Sequence, residues 1–131
     1  MENKIAYFGF IQEVIKRMAS NSFLIKGWSI TLVSALFALA AKDANIMFVL
    51  IAYFPAIMFW LLDSFYLHQE KLFRKLYELA IINDSTISVY SLDTSPVKTL
   101  VEPYINVVFS KTILPFHGVL IGVVVIVMLI I

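Results

Sequence analysis

The side chains able to do chemistry are few, and most lie outside the apolar stretches of this chain. Lys71, Arg74 and Lys75 are the main polar feature, with Lys16 and Arg17 on a second segment expected at the same membrane surface. Arginine and lysine beside stacking aromatics, here Phe73 and Tyr77, are the residue types that hold nucleotides or single-stranded nucleic acid. The same charges also mark topology beside lipid headgroups. The cluster therefore reads as an anionic-ligand or gate surface, or as a positive flank and nothing more.

A second group, Lys26, Asp63 and Lys111, falls at the ends of apolar segments, where an isolated charge is costly. Counting outward from the turn at Lys42-Asp43 brings Lys26 and Asp63 to within about one helical turn of each other in depth. Asp63 is expected to pair with Lys26, or with Lys111 at the mouth of the third apolar stretch. In the alternative, Lys26 snorkels to the headgroups.

Other chemistries are excluded. The chain has no cysteine, which removes disulfides, thiolate catalysis and cysteine-bound metals. His68 and His117 lie near different apolar stretches and show no metal-ligand spacing. No phosphate-binding glycine loop, zinc-protease helix or nucleophile elbow is present. Neither an enzyme nor a bound cofactor or metal is expected.

These residues must be positioned by membrane helices. Only 15% of the 131 residues are charged, against about 25% in typical soluble domains. Three stretches free of charge, 27–41, 44–62 and 112–131, approach or reach the ~20 helical residues that cross a bilayer. The first attains that length if it starts near Ser22. The run Ala35-Leu36-Phe37-Ala38-Leu39-Ala40 near its end contains an A-x-A-like site, as a signal peptide would, but the long amphipathic region before the stretch argues for a retained span. The expected fold is an all-α membrane protein: an N-terminal amphipathic helix (1–21), spans over 22–41, 44–62 and 112–131, an extension of the second span through 63–82, and a loop and juxtamembrane segment over 83–111. Three spans enclose no pore alone, so a homo-oligomeric bundle is expected.

Nine of the ten lysines and arginines flank one side of this arrangement, and only Lys42 lies in the hairpin turn. The positive-inside rule places the N-terminus and 63–111 in the cytoplasm, with the C-terminus outside. Trp28 and Trp60 then fall at one interface. Phe8, Ile11, Ile15 and Met18 recur at helical spacing, as do Phe65, Leu72, Phe73, Leu76, Tyr77 and Ala80. The first stripe is expected to pack on the second as a helical pair; the alternative lays it flat on the inner leaflet. Ser20-Asn21-Ser22 supplies cap residues where the first helix either breaks or runs on. Ile87, Val89 and Tyr90 suit a short strand or an ordered loop, and 97–110 has helical spacing interrupted at Pro103.

Within the spans, Gly27, Thr31, Ser34 and Ala38 form a small, hydroxylated face, and Gly118 and Gly122 form a G-x-x-x-G pair. Such faces serve helix packing within a subunit, an oligomer interface or a weakly polar pore lining. Pro55 and Pro115 are candidate kinks. No chain of acidic residues and histidines crosses the spans, which disfavours a proton-coupled transporter.

Four passages together resemble a group of small bacterial membrane proteins of anti-phage defence islands, the Hailong-type membrane effectors. They are Phe10-Ile11-Gln12-Glu13-Val14-Ile15-Lys16-Arg17-Met18-Ala19-Ser20-Asn21-Ser22-Phe23, Lys26-Gly27-Trp28, Phe59-Trp60-Leu61-Leu62-Asp63-Ser64-Phe65-Tyr66-Leu67-His68-Gln69-Glu70-Lys71, and Phe109-Ser110-Lys111-Thr112-Ile113-Leu114-Pro115. Residues 83–99 match least. The resemblance implies an oligomeric membrane channel held in check by a nucleotide or oligonucleotide and opened on infection. Its implied companion is a nucleotidyltransferase or another cytoplasmic sensor. It carries no catalytic residues. The shared polar residues Asn21, Lys26, Trp28, Trp60, Asp63 and Lys111 point to a cytoplasmic vestibule as the site. The alternative function is a non-conducting membrane anchor that recruits a partner enzyme.

Overall fold

The computed structural model describes residues 2–43, 45–82 and 90–130. Among these, four α-helices and one 3-10 helix form in order: α1 (Glu2–Asp43), α2 (Ile46–Ile81), a 3-10 helix (Ser95–Leu100), α3 (Tyr104–Val108) and α4 (Leu114–Ile130). The fold is all-helical, with no strand among the described residues. α1 and α2 are long and apolar enough to cross a membrane. At 1.5 Å per residue they run to about 63 Å and about 54 Å.

The connection between α1 and α2 is too short to allow anything but an antiparallel pair. Asn45 caps α2, its side-chain oxygen accepting from the Met47 N–H at 3.0 Å. Past the turn the helices approach closely, because Ala40, Ala52 and Ala56 alternate with Val33 and Val49 at the contact. Val124 of α4 completes this cluster. At the other end, Tyr7 and Ile11 of α1 bury against Leu72, Leu76 and Ala80 of α2, with Val97 of the 3-10 helix closing over them. The N-terminal segment thus packs on α2 as a helical pair.

The structure decides between the alternatives that the sequence left open. α1 does not break at Ser20-Asn21-Ser22, since the Ser22 hydroxyl is engaged by side chains of the bundle and no cap forms. The helical spacing over 97–110 resolves into the 3-10 helix, an extended step and the short α3, which begins right after Pro103. Pro115 sits in the first turn of α4, where its missing N–H removes no helical bond, so it makes no kink there. α2 passes through Pro55 without interruption. α4 has 17 residues, or about 26 Å, shorter than the expected third span. The expected strand residues Ile87 and Val89 lie outside the described residues, while Tyr90 occupies a turn with φ of 60°.

Candidate functional site

Two buried ionisable residues meet where α4 begins. Asp63 of α2 and His117 of α4 are fully buried, and Ser22 and Lys26 of α1 reach them from the opposite wall. Ser22 and Lys26 are four residues apart, which stacks them on one face of α1. Lys26 Nζ lies 2.7 Å from Asp63 Oδ2 and donates to Ser22 Oγ at 3.0 Å. The Ser22 hydroxyl donates in turn to Asp63 Oδ1. His117 Nε2 meets Asp63 Oδ2 at 2.7 Å. The carboxylate is therefore held by all three helices at once.

Aromatic rings wall the cluster. Trp60 lies parallel to the His117 ring, with centroids 6.3 Å apart, and packs edge-on against Phe109. Its indole N–H donates to the Val108 carbonyl at 3.0 Å, fixing the α3 segment against α2. The Tyr104 hydroxyl does the same to Leu61 O at 2.7 Å. Lys26 Nζ sits 5.9 Å from the centroid of the Phe116 ring, within cation–π range. Among the buried side-chain nitrogens and oxygens of the described residues, one has no partner, Nδ1 of His117.

Of the expected group at the apolar boundary, Lys26 and Asp63 are brought together and Lys111 is not. Lys111 is exposed in the turn before α4 and makes no ion pair among the described residues. His117, rather than Lys111, is the residue from the third apolar stretch that meets Asp63. Trp28 and Trp60 also part company: Trp28 is exposed, whereas Trp60 belongs to the cluster. The Asp63–His117 pair is a contact that the sequence reading did not anticipate. One signal for it was present in the sequence, because an ionisable residue inside an apolar span marks a functional position by default.

The basic surface has a different character from the one expected. Lys71 pairs with Glu102, Arg74 with Glu70 at 2.9 Å, and Lys75 with Glu78 at 3.4 Å. Each cation thus has a carboxylate beside it, which weakens the surface as an anion site within one protomer. Phe73 packs on the buried cluster of the helical pair, and Tyr77 accepts a hydrogen bond from Gln12 while meeting Phe8 edge-on. These rings bind the helices together and are not open stacking platforms. Lys16 and Arg17 are exposed on α1. Beyond the pair, Ser95 donates its backbone N–H and its hydroxyl to Asp93, holding that carboxyl below the usual range. Burial pushes the Tyr7 hydroxyl up, and it donates to the Ser91 carbonyl at 2.6 Å.

The small face of α1 points away from α2. Gly27, Thr31, Ser34 and Ala38 are exposed, while Ile25, Ser29, Val33 and Ala40 face the helix partner. Gly118 is exposed and Gly122 half-exposed on α4. A methyl group added at Gly27 or Gly122 meets nothing within 4 Å. Within this subunit, packing is therefore not what these glycines serve. α4 leans mainly on α2, leaving an apolar groove of about 540 Å³ between Ile30, Ser34 and Phe37 of α1 and Phe116, Val119 and Val123 of α4.

The fold and the site define an all-helical protein with two helices able to cross a membrane and a buried polar cluster joining three helices at one level. No family model, curated protein or solved structure matches the chain.

Proposed function

We propose that this chain is one subunit of a homo-oligomeric ion channel in a bacterial inner membrane. In this reading α1, α2 and α4 span the bilayer, the helical pair around Ile11 and Leu76 lies in the cytoplasm, and the C-terminal end faces outward. The observation that carries it is the uncovered face of α1. Thr31 and Ser34 lie on that face between Gly27 and Ala38, outside every packing cluster of the protomer. A weakly polar face beside exposed apolar side chains such as Ile30, Leu32 and Leu39 suits a helix shared between lipid and a neighbouring copy. The Lys/Arg distribution supports the orientation. The sequence resemblance supports a role in anti-phage defence, in which a nucleotide signal or a sensor protein biases the cytoplasmic pair and depolarises the membrane.

Reconstitution in vesicles tests this directly. Inserted protein should conduct ions, and Thr31→Leu with Ser34→Leu should reduce the flux severalfold. Correctly inserted protein that passes no ions, alone or with nucleotides, would remove the channel reading.

A second reading has its own support. Ile5, Phe10 and Leu100 are exposed around the helical pair, far from the α1–α2 turn. That apolar surface suits a partner protein, such as a nucleotidyltransferase, recruited to a non-conducting anchor. Phe10→Ser should then abolish co-purification of the partner while leaving insertion intact.

A further inference from the structure

The geometry points to His117 as a proton-binding latch that seats α4: the neutral ring holds the helix closed on α1 and α2, and protonation releases it.

The charge count within the cluster sets the direction. Asp63 already faces one cation, Lys26, at 2.7 Å. His117 adds a hydrogen bond to the same oxygen, Oδ2, also at 2.7 Å. A carboxylate accepts, so the ring places its proton on Nε2 and leaves a lone pair on Nδ1. That lone pair is buried and unpartnered among the described residues. A proton from bulk water added there would create an N–H donor with no acceptor in an aromatic and apolar pocket. Such a buried, unsatisfied group is destabilising. Two cations would then share one carboxylate, and the cluster would change from neutral to singly positive at the end of the apolar helices. The ring relieves both penalties by leaving the pocket, taking α4 with it.

Apart from Asp63, whose charge is already met by Lys26, the surroundings offer no compensation. From α1 the ring faces Lys26, and from α2 it faces Asp63. α4 carries no other titratable side chain, Lys111 in the preceding turn is exposed, and the Tyr104 hydroxyl of α3 is committed to Leu61 O. α4 is also lightly held. Among the described residues, its side chains make two hydrogen bonds to α2, His117 to Asp63 and Tyr53 to Met128 Sδ at 3.5 Å. Its boundary with α1 is the open groove.

The chain has no native cysteine, so Leu39→Cys on α1 and Ile126→Cys on α4 can carry the only two spin labels. Both positions are exposed. The full chain is reconstituted in phosphatidylethanolamine–phosphatidylglycerol vesicles, and the label distance is measured from about pH 5 to 8, the interval in which imidazoles change charge. In a Trp28→Phe background, Trp60 emission reports on the His117 ring directly. The distance should lengthen and broaden on acidification, with a Trp60 transition at the same pH. His117→Gln, which still offers an N–H to Asp63, should lose both transitions and stay closed. Lys26→Met leaves a protonated His117 as the sole cation on Asp63 but keeps the unsatisfied Nδ1, so both transitions should move to lower pH. A distance that does not change with pH overturns the latch, as does a transition that survives at unchanged pH in both variants. If His117→Gln fails to fold, the contrast between wild type and Lys26→Met decides. No readout depends on ion flux, so failure of the latch is distinct from failure of the channel reading.

Discussion

At the scale of single residues, Asp63 is the group on which the cluster depends. Removing it leaves His117 Nε2 without its partner and Lys26 with only the Ser22 hydroxyl. Truncating one partner of a buried ion pair costs about 3–5 kcal/mol. Asp63→Ala should therefore lower the thermal midpoint of the detergent-solubilised protein markedly. Lys26→Met should cost much less, because the lysine side chain is 25% exposed and Asp63 retains Ser22 and His117. Equal losses in the two variants would show that Asp63 acts through Lys26 alone. Half of this cluster was legible in the sequence. Lys26 and Asp63 are equidistant from a short turn, so counting residues along two antiparallel helices brings them together. His117 is 54 positions from Asp63, across connections of irregular structure, and no count of helical turns links the two. Ser22 was legible only as a cap-type residue, and its hydroxyl is consumed by side chains instead.

At the scale of elements, periodicity identified the helical pair well. Ile11, Leu72 and Leu76 were on the expected stripes and are buried together. Leu76→Ala opens a cavity beside Ile11 and should cost about 2–5 kcal/mol in that pair. The effect should be local: the N-terminal turns of α1 should become protease-sensitive while the α1–α2 contact at Ala40, Ala52 and Ala56 persists. Protection unchanged from wild type would mean that the 3-10 helix, through Val97, holds the pair without Leu76. The helical spacing after α2 and the new start at Pro103 were legible, but the division into two short helices was not, for a physical reason. Apolar residues at helical spacing occur there, but Pro96 and Pro103 each limit the preceding backbone, and short helices on either side of an extended step satisfy the same pattern.

At the scale of the whole molecule, the glycines separate folding from assembly. No atom crowds Gly27 or Gly122, so Gly27→Ala and Gly122→Ala should leave the protomer intact, and each replaces a poor helix former with a good one. Helix content and thermal midpoint should hold or rise slightly. If these faces meet a second copy, cross-linking in vesicles should fall sharply in the same variants; undiminished cross-linking would place any assembly contact elsewhere. Sequence made the small face visible but could not assign it to the outside, because the α1–α2 seam uses alanines and valines on the neighbouring stripe.

The unbroken course of α1 has a mechanical consequence. One rigid rod joins the packed Tyr7–Ile11 end to the turn at Asn45, with the Ser22–Lys26 cluster partway along it. Tilting that rod by about 5° around the turn would carry its far end about 5 Å sideways, given its length of about 63 Å. Ser22 and Lys26, closer to the fulcrum, would move by about half as much. A push on the terminal helix pair is thereby geared down into a displacement of about one hydrogen-bond length, which is the stroke needed to part Lys26 from Asp63.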